Sequence, residues 1–335
     1  MTTKLPVPSR GTPRISCVVP AYNEAANIEP LLMALSRQLR ALVPQWEILV
    51  VDDGSRDASP AVLSRWANVP GVRWLRLSRN FGKEAALTAG IDHAAGDVVV
   101  LMDADQQHPP EMIAPMLEAW RGGADMVCAA RRSRDDEGWA KRAGTWLFYR
   151  LINRPGAVEI PVDAGDFRLM DRRVVEALRA LPERNRFMKG LYAWVGFRTE
   201  VLPYTPLPRH AGKSSFSLRR LAALAFTGIT AFTNAPLRMW SGVGAVVALI
   251  ALGFGLWIVG EHFIVGHDVP GWATLVAGLM FSAGVQLLSV GILGEYVGRI
   301  FDEVKQRPVY IVGEEHGRGL ATLRHRGHGR QDLAA

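Results

Sequence analysis

The chain has 335 residues, more than one ordinary domain needs, so a catalytic-sized domain with a further element is expected. Its net charge of +7 favours an anionic partner: phosphate groups, an acidic membrane surface or nucleic acid. A hydrophobic fraction of 49% and a slightly positive mean hydropathy argue against a wholly soluble protein. Cys17 and Cys128 fall in apolar runs, which favours buried thiols in a reducing compartment over a disulfide.

Short apolar runs alternate with segments of helical spacing over residues 15–130. The predicted strands are 15–20, 46–51, 72–77, 98–102 and 126–130. The predicted helices are 24–42, 59–67, 83–94 and 111–120, the first of them capped by Asn23. Strands that alternate with helices predict a doubly wound, mostly parallel α/β sheet. We assign the catalytic domain to residues 15–213, after a flexible polar tail at 1–14.

Two apolar segments near the C-terminus predict a membrane hairpin. Residues 241–260 and 269–294 carry no formal charge, and each is long enough to cross a hydrocarbon core of about 30 Å. The prediction is a hairpin at 239–300 with transmembrane helices at 241–262 and 271–294. A buried soluble helix is the alternative for either segment, but two in tandem favour the membrane.

The distribution of Lys and Arg predicts the orientation of this hairpin. The loop between the spans has none, whereas the outer flanks carry Arg219, Arg220, Arg238, Arg299, Lys305 and Arg307. The positive-inside rule then puts the catalytic domain and both termini in the cytoplasm, with the chain multi-pass in the inner membrane. Residues 214–238 are predicted to form a juxtamembrane amphipathic helix at the interface. Residues 301–335 are predicted to be a cytoplasmic tail, disordered after Gly313.

Acidic and polar side chains follow three of the predicted strands. The first strand is followed by Tyr22 and Glu24, the second by Asp52-Asp53-Gly-Ser, and the fourth by Asp103-Ala-Asp105. Ligands of doubly wound sheets bind at the carboxyl ends of the strands. Carboxylates gathered there repel one another unless a cation joins them, and hard oxygen ligands favour Mg²⁺ or Mn²⁺. A lone D-x-D or a D-D-G turn is a weak signal, but their recurrence at successive strand ends is a stronger one.

These segments belong to a longer set of motifs. In chain order the motifs are Val18-Val-Pro20-Ala-Tyr22-Asn-Glu24, Val50-Val-Asp52-Asp53-Gly-Ser55, Asn80-Phe-Gly-Lys83, Asp103-Ala-Asp105-Gln-Gln107-His108-Pro-Pro-Glu111, Ala164-Gly-Asp166-Phe-Arg168, Asn185-Arg-Phe187, Trp194-Val-Gly196 and Arg209-His-Ala-Gly212. The set resembles family 2 glycosyltransferases of the GT-A fold. Within that family it is most similar to the polyprenyl-phosphate branch, which includes dolichyl-phosphate mannose synthase and bacterial undecaprenyl-phosphate glucosyltransferases.

The resemblance implies a role for each matching residue. On the donor side, the nucleotide-sugar would contact Pro20, Tyr22, Glu24, Asp52, Asp53, Asn80, Lys83, Asp103 and Gln107. Asp103 and Asp105 would hold the metal, and the catalytic group would comprise Asp105, Asp166 and Arg131. The acceptor phosphate would meet Arg131, Arg142, Arg209 and Lys213, because guanidinium forks suit phosphate oxygens. For each arginine, an ordinary surface charge is the alternative.

Two positions depart from the pattern of that family. In that family a basic residue often stands two positions after the site of Lys213, in the pattern G-x-S-K. This chain has Ser215 there and carries its lysine directly after Gly212, so the role of Lys213 is carried over from a neighbouring position. Gln106 stands where Leu is usual in D-A-D-L-Q. Asp166 matches the position that the family would nominate as a general base. A sugar-hydroxyl or arginine partner is the interpretation we favour for Asp166, and a structural turn aspartate is the alternative.

The resemblance implies an inverting transferase that moves a monosaccharide from a nucleotide-sugar to a polyprenyl phosphate. UDP-glucose is the expected donor, with a GDP-sugar or a UDP-pentose as alternatives. A processive polysaccharide synthase is a rival, but its Q-x-x-R-W signature is missing, since Val62 and Pro70 precede the two Arg-Trp pairs. A non-catalytic lipid-binding subunit would not need the intact Asp103 and Asp105. No nucleic-acid platform of basic and aromatic residues is visible. Glycine-rich faces of the spans make a homo-oligomer plausible.

Overall fold

The computed structural model describes residues 10–131, 164–184, 186–205 and 271–320, with scattered helical positions between 244 and 257. The chain divides into two units. One comprises Met1–Phe216 and Pro308–Ala335, and the other comprises Ser217–Arg307.

The first half of the catalytic unit has the predicted alternation of strands and helices. In chain order its elements are β1 (Ile15–Ala21), α1 (Ala25–Leu42), β2 (Trp46–Asp52), α2 (Ser59–Trp66), β3 (Val72–Leu77), α3 (Lys83–His93), β4 (Val98–Leu101), a 3-10 turn (Pro110–Met112), α4 (Ile113–Arg121) and β5 (Met126–Arg131). The later elements are β6 (Ala164–Asp171), α5 (Arg172–Ala180), α6 (Met188–Trp194), β7 (Thr199–Tyr204), α7 (Trp272–Val304) and β8 (Val312–Gly317).

Within the described residues, eight strands form one sheet in the order β7-β5-β6-β4-β1-β2-β3-β8. The central strands β3, β2, β1 and β4 run parallel, and β7 is parallel to β5. β6 and β8 pair antiparallel with their neighbours. All seven residues of β1 are buried, which explains why this strand is a continuous apolar run. The predicted mostly parallel α/β sheet is confirmed, and the carboxyl ends of β1, β2 and β4 lie side by side.

Helix α1 covers one face of this sheet with a stripe at helical spacing. Its apolar side chains Ile28, Leu31, Leu32, Leu35 and Leu39 are all buried. The predicted cap by Asn23 is wrong, because the helix starts one residue later, with Glu24 at its N-cap. Asn23 instead adopts a left-handed backbone (φ 55°), and its side-chain oxygen accepts a hydrogen bond from the Arg56 amide. Asparagine tolerates this conformation better than most residues.

The predicted flexible tail is shorter than residues 1–14. The Arg10 guanidinium donates to the carbonyl oxygens of Trp120 and Ala124 at 2.9 and 2.7 Å. Arg14 forms an ion pair of 2.9 Å with Asp97. Two arginines therefore tie this stretch to the catalytic unit from Arg10 onward, which the polar composition did not indicate.

The chain returns to the catalytic sheet at its C-terminal end. Residues Val312–Gly317 form β8, which pairs antiparallel with the edge strand β3. The His316 ring stacks on Trp74 with centroids 4.6 Å apart, and Glu315 is 2.8 Å from Arg73. The prediction of disorder after Gly313 is therefore wrong for this segment. Its charged sequence has no strand pattern of its own, and its order comes from a partner strand far away in the chain.

The longest helix of the described residues is α7, with 33 residues. It contains Gly278–Val304, the one stretch among the described residues that is long and apolar enough to cross a membrane. Its large apolar side chains, such as Leu279, Met280 and Phe281, are exposed. The helix runs ten residues past the predicted end of the second span. The predicted first span, 241–262, is helical at the few positions described, and the predicted interfacial helix at 214–238 lies outside the described residues.

Candidate active site

Asp52 ends β2 and is fully buried at the carboxyl edge of the sheet. Its Oδ1 accepts a hydrogen bond from the Ser55 amide at 3.0 Å. Its Oδ2 has no hydrogen-bond partner among the described residues, and the nearest cation is Arg76 Nε at 3.5 Å. Burial raises the pKa of Asp52, against the opposing effects of Ser55 and Arg76. Arg76 is thus the charged neighbour of a buried carboxylate oxygen that accepts no hydrogen bond among the described residues.

Both carboxylate oxygens of Asp53 accept hydrogen bonds from the loop before α3. Oδ1 accepts from the Phe81 amide at 2.7 Å, and Oδ2 accepts from the Gly82 amide at 2.9 Å. Burial raises the pKa of Asp53, and these two amide donors oppose the rise. The next residue must be glycine, because Gly54 has φ +67° and a Cβ there would meet the Arg79 carbonyl carbon at 2.6 Å. Asp53 therefore sets where α3 begins.

The predicted donor residues on the first strand lie at the same edge. Pro20 is buried in β1 beside Val51, and Tyr22 follows with 41% of its surface exposed. Glu24 accepts a hydrogen bond from the Asn27 side chain in the first turn of α1. Asn80 lies exposed in the loop that Asp53 holds. A partly exposed aromatic ring next to a buried carboxylate is a suitable surface for a nucleoside.

Asp103 and Asp166 are joined by a single ammonium group. Lys83 Nζ is 2.6 Å from Asp103 Oδ1 and 2.7 Å from Asp166 Oδ2. Burial opposes charge on Lys83, but the two carboxylates outweigh it and raise the pKa of the lysine. The three groups come from the start of α3, the loop after β4, and β6. The predicted donor residues Lys83 and Asp103 and the predicted catalytic residue Asp166 are therefore brought together.

Asp166 is a carboxylate that stays ionised. Burial opposes its ionisation, yet the charges of Lys83 and Lys189 hold its pKa below the usual value of an aspartate. Its Oδ1 is buried without a hydrogen-bond partner among the described residues. Behind it, Arg168 is buried with its guanidinium 3.5 Å from the centre of the Tyr192 ring. This basic surrounding favours an anion at position 166.

Asp105 lies two residues beyond Asp103 in the same loop. Its Oδ1 accepts from the Gln107 amide at 3.1 Å, and Gln106 between them has a left-handed backbone with φ 60°. The Asp103 amide donates to His108 Nδ1 at 3.3 Å. The His108 ring is buried and stacks on Phe167 with centroids 4.8 Å apart. The loop that carries the two aspartates is thus packed against β6, beside Asp166.

The two loop aspartates fit a divalent cation that shares its ligands with a substrate. They are hard oxygen donors, and Lys83 shows that positive charge is favoured against Asp103. Among the described residues, no group of three His, Cys, Asp or Glu could hold a metal without other ligands. Mg²⁺ in proteins is commonly held by one or two carboxylates together with substrate phosphates. Asp103 and Asp105 suit that arrangement.

Two neighbours of the site were not among the predicted site residues. His108 stands inside the aspartate motif, and its buried ring orients Asp103. Glu84 follows Lys83 and accepts from the Met188 amide at 3.1 Å. Burial raises the pKa of Glu84 to about 7, and the charge of Asp166 adds to the shift. His108 could have been found from its place in the motif, whereas nothing in the sequence distinguishes Glu84.

The predicted acceptor residues are the part of the site that the structure does not describe. Arg131 ends β5, so its backbone is at the carboxyl edge of the sheet, but its side chain lies outside the description. Arg142, Arg209 and Lys213 also lie outside the described residues.

Comparison with known proteins gives a consistent result. Residues 16–179 match the model of glycosyl transferase family 2. The bactoprenol glucosyl transferase of Shigella phage SfII is 44% identical over 90% of this chain and 98% of its own length. A prophage bactoprenol glucosyl transferase homolog of Escherichia coli K12 is 42% identical over 89% and 98%. Glucosyl-3-phosphoglycerate synthase from Mycobacterium tuberculosis is 21% identical over 65% of this chain and 76% of its own, with a TM-score of 0.48.

A mostly parallel sheet with aspartates at adjacent strand ends, in a chain with such relatives, defines a glycosyltransferase of the GT-A type. More specifically, the chain belongs to glycosyl transferase family 2.

Proposed function

We propose that this enzyme transfers a monosaccharide from a nucleotide-sugar to a polyprenyl phosphate at the cytoplasmic face of the membrane. The observation that carries the proposal is the pair of ion pairs by which Lys83 joins Asp103 and Asp166. Asp105 lies two residues beyond Asp103, and the buried carboxylate of Asp52 lies at the same edge of the sheet. The names of the relatives support a polyprenol acceptor and glucose as the sugar. UDP-glucose is the donor that we propose.

On the donor side, the nucleoside would lie over Pro20 and Tyr22. The Oδ2 of Asp52, which lies beside Arg76 and has no hydrogen bond among the described residues, would accept a hydrogen bond from it, and Glu24 would border the same cleft. Asp53 would act indirectly, through the loop that carries Asn80 and starts α3. Gln107 would stay near the diphosphate through its backbone contact with Asp105.

The metal would be Mg²⁺ or Mn²⁺, held by Asp103 and Asp105. When bound, it would supply a Lewis acid that neutralises the charge developing on the departing nucleoside diphosphate. Lys83 would add a second positive charge at the same place, because its ammonium already reaches Asp103.

The acceptor needs positioning more than it needs a base. A phosphomonoester has a second pKa of about 6, so it is already an anionic nucleophile at neutral pH. Arg131, Arg142, Arg209 and Lys213 would hold it in line with the anomeric carbon and offset its repulsion from the donor. Asp166, whose pKa Lys83 and Lys189 lower, is better suited to contact a sugar hydroxyl or a basic side chain than to accept a proton.

Asp166→Asn is therefore expected to keep measurable turnover while losing donor affinity or sugar selectivity. The amide retains the shape of the side chain but not the charge that pairs with Lys83. Neutralising Arg131 should differ from this variant by raising the KM for the lipid. The measurement for Asp166→Asn is kcat against pH at saturating substrates, for wild type and variant. If the wild type shows an acidic limb that the variant loses together with nearly all activity, Asp166 is a general base and the proposal is wrong.

The membrane arrangement is part of the same proposal. An interfacial helix at 214–238 and a hairpin with spans at 241–262 and 271–294 would place both termini in the cytoplasm, with the loop 266–270 outside. The exposed apolar surface of α7 supports the second span. Reporter fusions at each terminus and in the loop test this topology. A periplasmic C-terminus would contradict it, as would a cytoplasmic loop.

The decisive experiment on function supplies membranes containing the protein with polyprenyl phosphate and, separately, radiolabelled UDP-glucose, a GDP-sugar and a UDP-pentose. We expect one label to enter a lipid fraction that is soluble in organic solvent, and excess EDTA to prevent it. Label in a polymer would instead identify a processive synthase. No transfer from any donor would favour a non-catalytic subunit. The D105N protein in the same membranes is the control for host enzymes.

A further inference from the structure

Lys83 is aimed into the site by the residues around it. Asp53 holds the amides of Phe81 and Gly82, and α3 begins at the next residue. Gly82 makes this turn with φ 100°, a conformation that favours glycine. The position of the lysine at the first turn of α3 is thus fixed by a buried carboxylate. Its long side chain has several rotatable bonds, and almost half of its surface is exposed.

The ammonium group of Lys83 is in the position that a cation between two carboxylates would take. It contacts Asp103 at 2.6 Å and Asp166 at 2.7 Å, so it offsets the repulsion between them. Asp103 is also one of the two aspartates suited to a divalent ion. The ion and the lysine would therefore bind to the same carboxylate, and their like charges would repel.

We infer that Lys83 is a positioning residue that takes the place of the divalent cation against Asp103 and Asp166 until the donor arrives. This inference rests on the proposed function. The nucleoside diphosphate brings negative charge, so Lys83 can exchange Asp103 for a phosphate oxygen while it remains beside Asp166. The free enzyme should then bind the ion weakly, and the ion and the nucleotide should bind together.

A gain of metal affinity is predicted when Lys83 is neutralised. Removing a positive residue that transfer requires should raise the affinity of the enzyme for the bare ion. Lys83→Met and Lys83→Gln are expected to bind Mn²⁺ without nucleotide roughly threefold to fivefold more tightly than wild type, the size expected when one partly exposed ion pair, that of Lys83 with Asp103, no longer needs to be broken. Both variants should lose most transfer activity. Lys83→Arg keeps the charge and should keep the weak Mn²⁺ binding.

The matched control is Lys189→Met. Lys189 also adds positive charge near Asp166, but no ion pair joins it to Asp103 among the described residues. If the total positive charge near the site alone set the affinity for Mn²⁺, the Lys189→Met variant would gain affinity as the Lys83 variants do. We expect its Mn²⁺ affinity to stay within about twofold of wild type.

The test uses the full-length protein in detergent, with Mn²⁺ titrations followed by electron paramagnetic resonance, without nucleotide and then with UDP or GDP. A second readout is the thermal stabilisation given by Mn²⁺, which grows with affinity. Unchanged or weaker Mn²⁺ binding in both neutral variants would overturn the inference, and so would an equal gain in Lys189→Met. Wild-type protein that binds Mn²⁺ equally well with and without nucleotide would also overturn it. If no variant binds Mn²⁺ even with either nucleotide, the proposed metal-assisted function fails as well.

Discussion

Asp105→Asn is expected to reduce sugar transfer by roughly a thousandfold, or about 4 kcal/mol at 1.4 kcal/mol per factor of ten, while the protein stays folded in the membrane. Asp105 is one of only two carboxylates that the aspartate loop offers to the ion. An amide in its place keeps the hydrogen bond from the Gln107 backbone, because the side-chain oxygen can still accept it. The variant therefore removes a charge and a metal ligand with little change to the loop.

The measurement is initial transfer rate at saturating donor and lipid, over a range of Mg²⁺ and Mn²⁺ concentrations. Asp92→Asn is the matched control, since Asp92 is exposed on α3 and accepts a hydrogen bond from the Tyr310 hydroxyl that an amide can also accept. This control should transfer sugar at the wild-type rate. Wild-type turnover by Asp105→Asn, or full wild-type activity in excess EDTA, would show that the aspartate pair does not work through a metal.

The first five strands were predictable because of where the sheet buries them. β1 and β2 are covered on both faces, so their sequences are short apolar runs, which are typical of strands in a parallel sheet. Each run is followed by polar residues at the edge where ligands bind. All five predicted strand starts match the observed ones, and four of the five predicted strand ends differ by one residue, since the composition changes sharply there.

The aspartates of the site could be predicted, but the way they are held could not. Asp103 and Asp166 are 63 positions apart, and their approach depends on β6 entering the sheet antiparallel, between β4 and β5. No local pattern encodes that insertion. The contact of Lys83 with both carboxylates follows from it. The motif alone assigned these three residues to one site without indicating that the lysine pairs with both aspartates.

The C-terminal strand was not predicted, because it too depends on pairing with a strand far away in the chain. β8 reads Val-Gly-Glu-Glu-His-Gly, with no alternation of apolar residues, so its composition favours a solvated tail. Its order comes from β3, about 240 residues earlier, where Arg73 and Arg76 face Glu315 and Glu314. Arg76 is also the cation beside Asp52. A segment that follows the apolar helix in sequence thus completes the sheet and adjoins the proposed nucleoside cleft.

Deleting residues 308–335 is therefore expected to destabilise the catalytic unit by about 3–5 kcal/mol, which is a large share of the stability of a typical domain. The deletion removes the backbone pairing along β3 and the ring that covers Trp74, a side chain only 1% exposed. It also removes the Leu320 amide that donates to the buried Glu47 at 2.9 Å. An uncovered edge strand should make the protein aggregate.

Deleting only residues 321–335 is the matched control, because it leaves β8 and the contact with Glu47 intact. Thermal unfolding of both proteins in detergent, followed by intrinsic tryptophan fluorescence, gives the comparison. We expect a wild-type melting temperature for the short deletion and a melting temperature lowered by about 6–20 °C for the long one. Since Trp74 stacks on His316, the emission of the long deletion should also shift to the red before unfolding. Equal melting temperatures for the two deletions would mean that β8 contributes nothing to the sheet, and the catalytic unit would then be complete before the apolar helix begins.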